Sequence, residues 1–339
     1  MASLTPVYYS HGHAAGINAV ASHPSARAYV TVSDDNTVAV WMLEPHRMLA
    51  ATELNQAPTA VAIRPDGSVI AVGLMDGSVL LLDMGDSPSG ATLVETGRLA
   101  PIESSGGDKS TRSRQGESNG SVGALSFSSD GEFLAVGDGK GAVTLHSIRS
   151  GFTKRVVLGG QGGGSVGKVS AVDFSVDGRW LRVETIEKTP QGGQPVHHLG
   201  YWDVGQQQRV NDDGEGGALD LRDEQWASYN STVGWSVMGV WHGEDLAGVQ
   251  SLDVAATWSG AGSGGGSVTA AASGSAVKLY RYPAVEKRPT ARTLSGHGGA
   301  VRGVRFADRE NALLSVGGSD QALMVWKKRQ PPQQQQRRH

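Results

Sequence analysis

The sequence predicts an all-β protein, a single β-propeller of seven four-stranded blades, one of them atypical. Three observations predict it. A unit of short alternating stretches recurs along the chain, at the spacing of ~40 residues that a four-stranded blade requires. Asp-Gly turns recur at the same place in several of those units. Glycine contributes 48 of 339 residues while hydrophobic residues make up 38%. That mix suits many short strands joined by many turns and does not suit a helical bundle.

The units follow one another in order. Gly12 to Trp41 reads GH, then INAVASHP, then RAYVTVSDDNTVAVW. Within it Val38 and Val40 alternate with Thr37 and Ala39, the mark of a strand with two different faces. Ala57 to Asp83 contains AVAIRPDGSVIAVGLMDGSVLLLD, with Asp76 six residues before Leu82. Val122 to His146 contains ALSFSSDGEFLAVGDGKGAVTLH, with Lys140 and His146 at those positions. Lys168 to Asp203 reads VSAVDFSVDGRWLRVE, an insertion, and LGYWD. Ser267 to Tyr280 reads SVTAAASGSAVKLY, with Gly274 at the Asp position. Gly296 to Trp326 returns to GH and VRGVRFADRENALLSVGGSDQALMVW. Asp35 and Asp320 each lie six residues before a Trp, so the first and last units share a spacing. PDG at 65–67, SDG at 129–131 and VDG at 176–178 supply residues that tolerate positive φ in a tight hairpin.

The blades are expected at 11–43, 49–83, 92–148, 153–204, 205–241, 245–283 and 290–328, with 205–241 the atypical one. Residues 4–10 (LTPVYYS) read as a lone strand that pairs with the last blade and closes the ring, so that few edges are left open. Pro6 suits such an outer position.

GH…D…W at this spacing resembles the WD-repeat family. The resemblance implies a hydrogen-bonded set inside each blade: His13, Thr31, Asp35 and Trp41 in the first, and His297, Asp320 and Trp326 in the last. Val316 falls at the Ser/Thr position of the last blade, so its network is expected to be incomplete. The middle blades keep strands without the set and are expected to rely on apolar packing. Trp41, Trp202, Trp226, Trp235, Trp241 and Trp326 are all read as core residues, an exposed one being a candidate interface anchor.

A narrower resemblance begins in DEQWASYNSTVGWSVMGVWHGED (223–245), continues through SVTAAASGSAVKLYRYP (267–283) and ends with GHGGAVRGVRF…SVGGSDQALMVW (296–326). ASHP (21–24), EPHRMLA (44–50) and LGYWD (199–203) agree with it. The chain, over roughly Gly12 to Trp326, is similar to the C-terminal propeller of the echinoderm microtubule-associated protein-like family. Members of that family usually carry two tandem propellers, and often a basic segment and a trimerising coiled coil. This sequence has room for one propeller and no sustained heptad pattern. The resemblance implies a non-catalytic module that holds other proteins, with microtubules or tubulin as the partner. The alternative is a general scaffold for a ciliary or signalling complex unrelated to tubulin.

Composition narrows the remaining classes. Net charge is −3, so no global basic field draws in nucleic acid. Cysteine is absent, which excludes disulfides and thiolate sites and suits a reducing compartment. Met1 to Ser10 lacks the basic start and apolar core of a secretory signal, and no apolar run reaches the ~20 residues that cross a bilayer. A monomer without membrane contact is expected, in the cytoplasm or at the cytoskeleton.

No nucleotide-binding Gly-x4-Gly-Lys-Ser/Thr exists, and the Gly-rich runs at 159–164 and 259–266 lack a strand-to-helix context. His197 and His198, adjacent on a strand, point to opposite faces and do not share an ion; His11 and His13 are no better placed, since His13 belongs to the blade network. No Gly-x-Ser-x-Gly elbow stands at a strand-to-helix turn, and Asp212, Asp213 and Glu215 read as a solvated turn. No catalytic residue, cofactor or metal is therefore expected. The insertions at 101–120, 188–195 and 259–266 read as loops. Residues 329–339 read as a disordered basic Gln/Pro tail, with docking on an acidic surface such as the tails of tubulin as its functional alternative.

Overall fold

The computed structural model describes residues 4–10, 12–85, 92–101, 120–152, 155–158, 167–188, 195–210, 217–241, 249–258, 266–309 and 311–328. His11, the runs at 159–164 and 259–265, the turn at 212–215, the tail at 329–339 and most of the insertions at 101–120 and 188–195 lie outside the described residues.

Six four-stranded antiparallel sheets form the blades. Strand β1 (Leu4–Ser10) belongs to the last of them. Blade I holds β2 (Ile17–Ser22), β3 (Ala28–Ser33), β4 (Thr37–Met42) and β5 (Arg47–Glu53). Blade II holds β6 (Pro58–Ile63), β7 (Val69–Leu74), β8 (Val79–Asp83) and β9 (Val94–Leu99). Blade III holds β10 (Val122–Phe127), β11 (Phe133–Asp138), β12 (Val143–Ser147) and β13 (Arg155–Leu158). Blade IV holds β14 (Lys168–Phe174), β15 (Trp180–Glu187), β16 (Val196–Asp203) and the two-residue β17 (Gln208–Arg209). Blade V holds β18 (Val249–Trp258), β19 (Gly266–Ser273), β20 (Ala276–Arg281) and β21 (Arg292–Ser295). Blade VI holds β22 (Val301–Ala307), β23 (Ala312–Gly317) and β24 (Leu323–Lys328), and β1 completes it from the other end of the chain. β1 runs antiparallel to β24 from Leu4↔Lys328 to Ser10↔Leu323, with a bulge between Pro6 and Tyr8.

The count of seven blades is thus corrected to six, because residues 205–241 do not form a blade. Beyond β17 the described part of that segment contains a 3-10 turn at Ala218–Leu221, a second at Trp235–Val237 and one helical turn at Met238–Trp241. Its sequence has no run of alternating polar and apolar residues to pair as a sheet. It works instead as a strap between blades IV and V. Its only ladder contact among the described residues is an isolated bridge from Trp226 to Ser175.

The packing explains why the ring still closes. Apolar clusters lie between neighbouring blades, as between Val20, Tyr29 and Trp41 of blade I and Leu314, Val316 and Val325 of blade VI. The strap supplies both interfaces of its own sector. Trp226 and Leu221 pack on Tyr201 and Val210 on the blade IV side, while Val237 and Val240 pack on Leu252, Ala271 and Tyr280 of blade V. Each blade buries its apolar faces only because a neighbour covers them, and the strap serves as that neighbour twice.

Turns between the first and second strands follow the Asp-Gly signals. Gly67, Gly131 and Gly178 take φ of 80°, 70° and 73°. Gly67 has a second constraint: a Cβ there would meet the His23 ring of the preceding blade at 2.4 Å. These turns touch around one face, where Arg64 Nε donates to Gly131 O at 3.1 Å and Ser129 Oγ to Val176 O at 2.7 Å.

Candidate interaction groove

The sequence-predicted residues of blade I lie together. The Trp41 indole N–H donates to Thr31 Oγ1 at 2.7 Å, and Thr31 Oγ1 lies 2.7 Å from His13 Nε2. His13 Nδ1 meets Asp35 Oδ2 at 3.0 Å. The chain of donors is consistent when Thr31 donates to Nε2 and the ring proton sits on Nδ1. Burial alone would raise the Asp35 pKa; hydrogen bonds from Thr37, the Ala14 N–H and His13 outweigh it and hold the carboxyl below its ordinary range. Gly12 is required by close approach, since a Cβ there would come within 2.0 Å of the Trp41 ring.

Blade VI has the same network, and its expected gap at Val316 is a correction. Ser315 fills the position: the Trp326 indole N–H donates to Ser315 Oγ at 2.8 Å, and Ser315 Oγ lies 2.8 Å from His297 Nε2. His297 Nδ1 meets Asp320 Oδ2 at 2.8 Å. The hydroxyl lies 18 residues after the His in both blades, but 10 residues before the Trp in blade I and 11 in blade VI. A hairpin loop longer by one residue shifts a count made backwards from the Trp. These seven residues and Ser315 are positioned inside blades.

The surface with binding character lies elsewhere, at the strap. Three charged side chains on β14 and β15 of blade IV are withdrawn from water: Asp173, Arg182 and Glu184. Arg182 Nη2 donates to Asp173 Oδ2 at 2.8 Å, and its guanidinium lies 4.5 Å from the centre of the Trp226 ring. Asp173 also accepts from Ser228 Oγ (2.7 Å) and from the backbone N–H groups of Asn230 (2.7 Å) and Ser231 (3.0 Å). Glu184 accepts from Thr232 N–H (2.6 Å), Thr232 Oγ1 (2.7 Å), Ser231 Oγ (2.9 Å) and His197 Nδ1 (2.6 Å). Two carboxylates of one blade therefore take the place of a ladder partner for the strap backbone. His198 turns to Glu187 instead, 3.4 Å away, so the two adjacent histidines have separate partners.

Across the ring Arg305 of β22 reaches the strap and blade V together. It donates to Asn230 Oδ1, and its Nη1 to Leu252 O at 3.2 Å. Asn230, with residues from the first strand of every blade, lines a central channel of about 150 Å³. Beside it Asp253 accepts the Phe306 N–H at 2.7 Å and the Val254 N–H at 3.0 Å. Desolvation pushes its pKa up to about 6, against the opposing pull of Arg305 and those two N–H groups.

Between the strap and blade V a groove of about 920 Å³ opens. It lies on the face that carries the Asp-Gly turns, since Val176 of the turn after β14 lines it. Its walls include Tyr229, Trp235, Tyr282, Pro283 and Val285, with Asp223, Glu224 and Asp253 as its carboxylates. Three of its apolar residues are exposed: Val176 by 51%, Val285 by 52% and Trp235 by 39%. The expectation that Trp235 is a core residue is therefore corrected. It opens a 3-10 turn on the outer side of the strap, where only Val237 of that turn is buried. Trp226, Trp41 and Trp326 are buried and Trp202 is partly so, while the Trp241 side chain lies outside the described residues. Sequence reasoning missed Asp173, Arg182 and Glu184 because they occupy alternating strand positions where apolar residues are the norm. The signal was their interruption of the pattern in DFSVDGRWLRVE.

Among the described residues no group of three or more His, Asp or Glu is arranged to hold a metal ion, and no helix is long and apolar enough to cross a membrane.

A ring of six sheets, closed by the pairing of β1 with β24 and sealed by one irregular strap, makes this a β-propeller with a groove at its irregular sector. The chain belongs to a known family of such domains: the model for the second β-propeller of echinoderm microtubule-associated proteins matches residues 17–328. It is 27% identical over 320 residues to echinoderm microtubule-associated protein-like 3 of Homo sapiens, covering 93% of this chain and 31% of the relative. It is 26% identical to echinoderm microtubule-associated protein-like 2 of Rattus norvegicus, covering 93% of this chain and 42% of the relative. The 77 kDa echinoderm microtubule-associated protein of Lytechinus variegatus is 25% identical over 91% of this chain and 40% of its own length. The chain thus spans less than half of each of these relatives.

Proposed function

We propose that this chain is a non-catalytic protein-interaction module that associates with microtubules or with tubulin, in the cytoplasm at the cytoskeleton. The observation that carries the reading is the match of residues 17–328 to a propeller of microtubule-associated proteins. The groove with its exposed Trp235 supports an interaction role, since a large aromatic at a concave surface has the chemistry of an interface anchor. Residues 329–339, basic and rich in Gln and Pro, add an electrostatic contact to the acidic surface of the polymer. Cosedimentation of the chain with stabilised microtubules tests the reading. Pelleting at low salt that declines as salt rises is expected; complete recovery in the supernatant at low salt rejects it.

A second reading is a scaffold for a ciliary or signalling complex unrelated to tubulin. It is favoured by coverage: the match accounts for 31% to 42% of the relatives' length, and attachment to the microtubule in those proteins can lie in the remainder. Proximity labelling that recovers other proteins without enriching tubulin favours it over the first.

A further inference from the structure

The groove beside the strap has a chemistry that selects its occupant. Tyr229 and Tyr282 meet edge to face with ring centres 5.6 Å apart and hydroxyls 2.8 Å apart. That single bond uses one of the two hydroxyl protons, and the other is left to donate to a ligand. Trp235, Pro283, Val176 and Val285 continue the apolar surface on either side. Trp235, 39% exposed in the same groove, carries an indole N–H as a further donor.

An aromatic wall whose side chains carry hydrogen-bond donors suits a strand in the polyproline II conformation. Such a strand has no internal hydrogen bonds, so its carbonyls are free to accept, and its proline rings fit between aromatic side chains. Because the strand is already extended, little conformational freedom is lost on docking.

Charge fixes the flanks. The groove is lined by three carboxylates, Asp223, Glu224 and Asp253, against one guanidinium, Arg222. Arg222 is turned toward Asp223 at 3.3 Å, and both are well exposed at the rim. A cationic side chain entering beside the aromatic wall meets an acidic rim, whereas an acidic one is repelled.

We propose that this groove binds an extended, proline-containing basic peptide of a partner protein, with its prolines against Tyr229, Tyr282 and Trp235 and its Arg or Lys side chains against Asp223 and Glu224. The proposal rests on the reading of the chain as an interaction module and does not require tubulin to be the partner.

The test uses three pools of fluorescein-labelled dodecapeptides read by anisotropy against the full chain. One pool has a fixed Pro-x-x-Pro core flanked by Arg, one has the same core flanked by Glu, and one has Gly in place of both prolines. The Arg-flanked pool is expected to bind about tenfold tighter than either other pool, as charge reversal and loss of the preformed strand each predict. Trp235→Ala is expected to weaken that binding by about fivefold or more. Glu224→Arg, a surface change that leaves the walls intact, weakens it as well and carries the test if the first variant fails to fold. Equal binding of the three pools, or no binding, overturns the proposal.

Two other occupants are distinguishable. Binding that appears only after removal of residues 329–339 would assign the groove to the chain's own Arg-Gln-Pro-Pro segment and overturn the assignment to a partner. A concentration-dependent dimer abolished by Trp235→Ala would assign it to a second copy, with the same consequence. Pelleting with microtubules that survives Glu224→Arg leaves the functional reading standing whatever the peptides do.

Discussion

At the scale of single residues, one hydroxyl in each of blades I and VI joins three elements. Ser315 accepts from Trp326 and stands within hydrogen-bond distance of His297, all three side chains being buried. Removing it strands a donor on one side and a ring nitrogen on the other, and each buried polar group left unpaired costs about 1–3 kcal/mol. Ser315→Ala is accordingly expected to lower the urea midpoint without changing the slope of the transition. A loss under about 0.5 kcal/mol would mean that water enters and replaces the hydroxyl. Asp253 gives a prediction in pH. Its pKa moves from 3.8 to about 6 on folding, so the folded chain holds this proton more tightly than the unfolded one. The carboxyl therefore contributes most to stability when protonated, below about 4, and that contribution is lost as pH rises through 6. Asp253→Asn does not titrate. Its stability relative to the parent is expected to improve between pH 4 and pH 7.5, by up to about 3 kcal/mol for a shift of this size. A pH-independent difference in paired urea titrations would show that the carboxylate is solvated in the fold.

At the scale of elements, the strap is the part that behaves least like its surroundings. Its described residues beyond β17 form no sheet, yet Asp173 and Glu184 accept six hydrogen bonds from it. Asp173→Ala removes the partner of Arg182 and the acceptor of three strap donors together. Breaking a buried ion pair from one side typically costs about 3–5 kcal/mol. The exposed pair between Arg27 and Glu44 is the control, where Arg27→Ala is expected to cost under about 1 kcal/mol. Hydrogen exchange localises the effect: the amides of residues 228–232 are expected to lose protection in the Asp173 variant while those of β19 keep theirs. Retained protection at 228–232 would show that apolar packing alone holds the strap. The sequence was legible here only in outline. Asp-Gly turns and alternating strands marked the regular blades because both are local signals. The strap depends on side chains some 50 residues away in sequence, and no periodicity within it announces that dependence. Trp235 was misplaced for the same reason, since an aromatic residue outside a repeating pattern carries no sign of which side faces water.

At the scale of the whole molecule, the ring has six sheets with one irregular strap between blades IV and V, and a count that takes the strap for a blade arrives at one too many. The hydroxyl of blade VI was misassigned by counting from the wrong anchor; the interval from the His was the same in both blades, and the interval to the Trp was not. The pairing of β1 with β24 has a further consequence, in the order of events during synthesis. Residues Leu4–Ser10 lie against the strand Leu323–Lys328, which is made more than 300 residues later. At translation rates of about 5–20 residues per second that partner arrives some tens of seconds after the N-terminal strand emerges. Throughout that interval the growing chain carries two unpartnered margins, and a chaperone that shields exposed β-strands has its longest opportunity here.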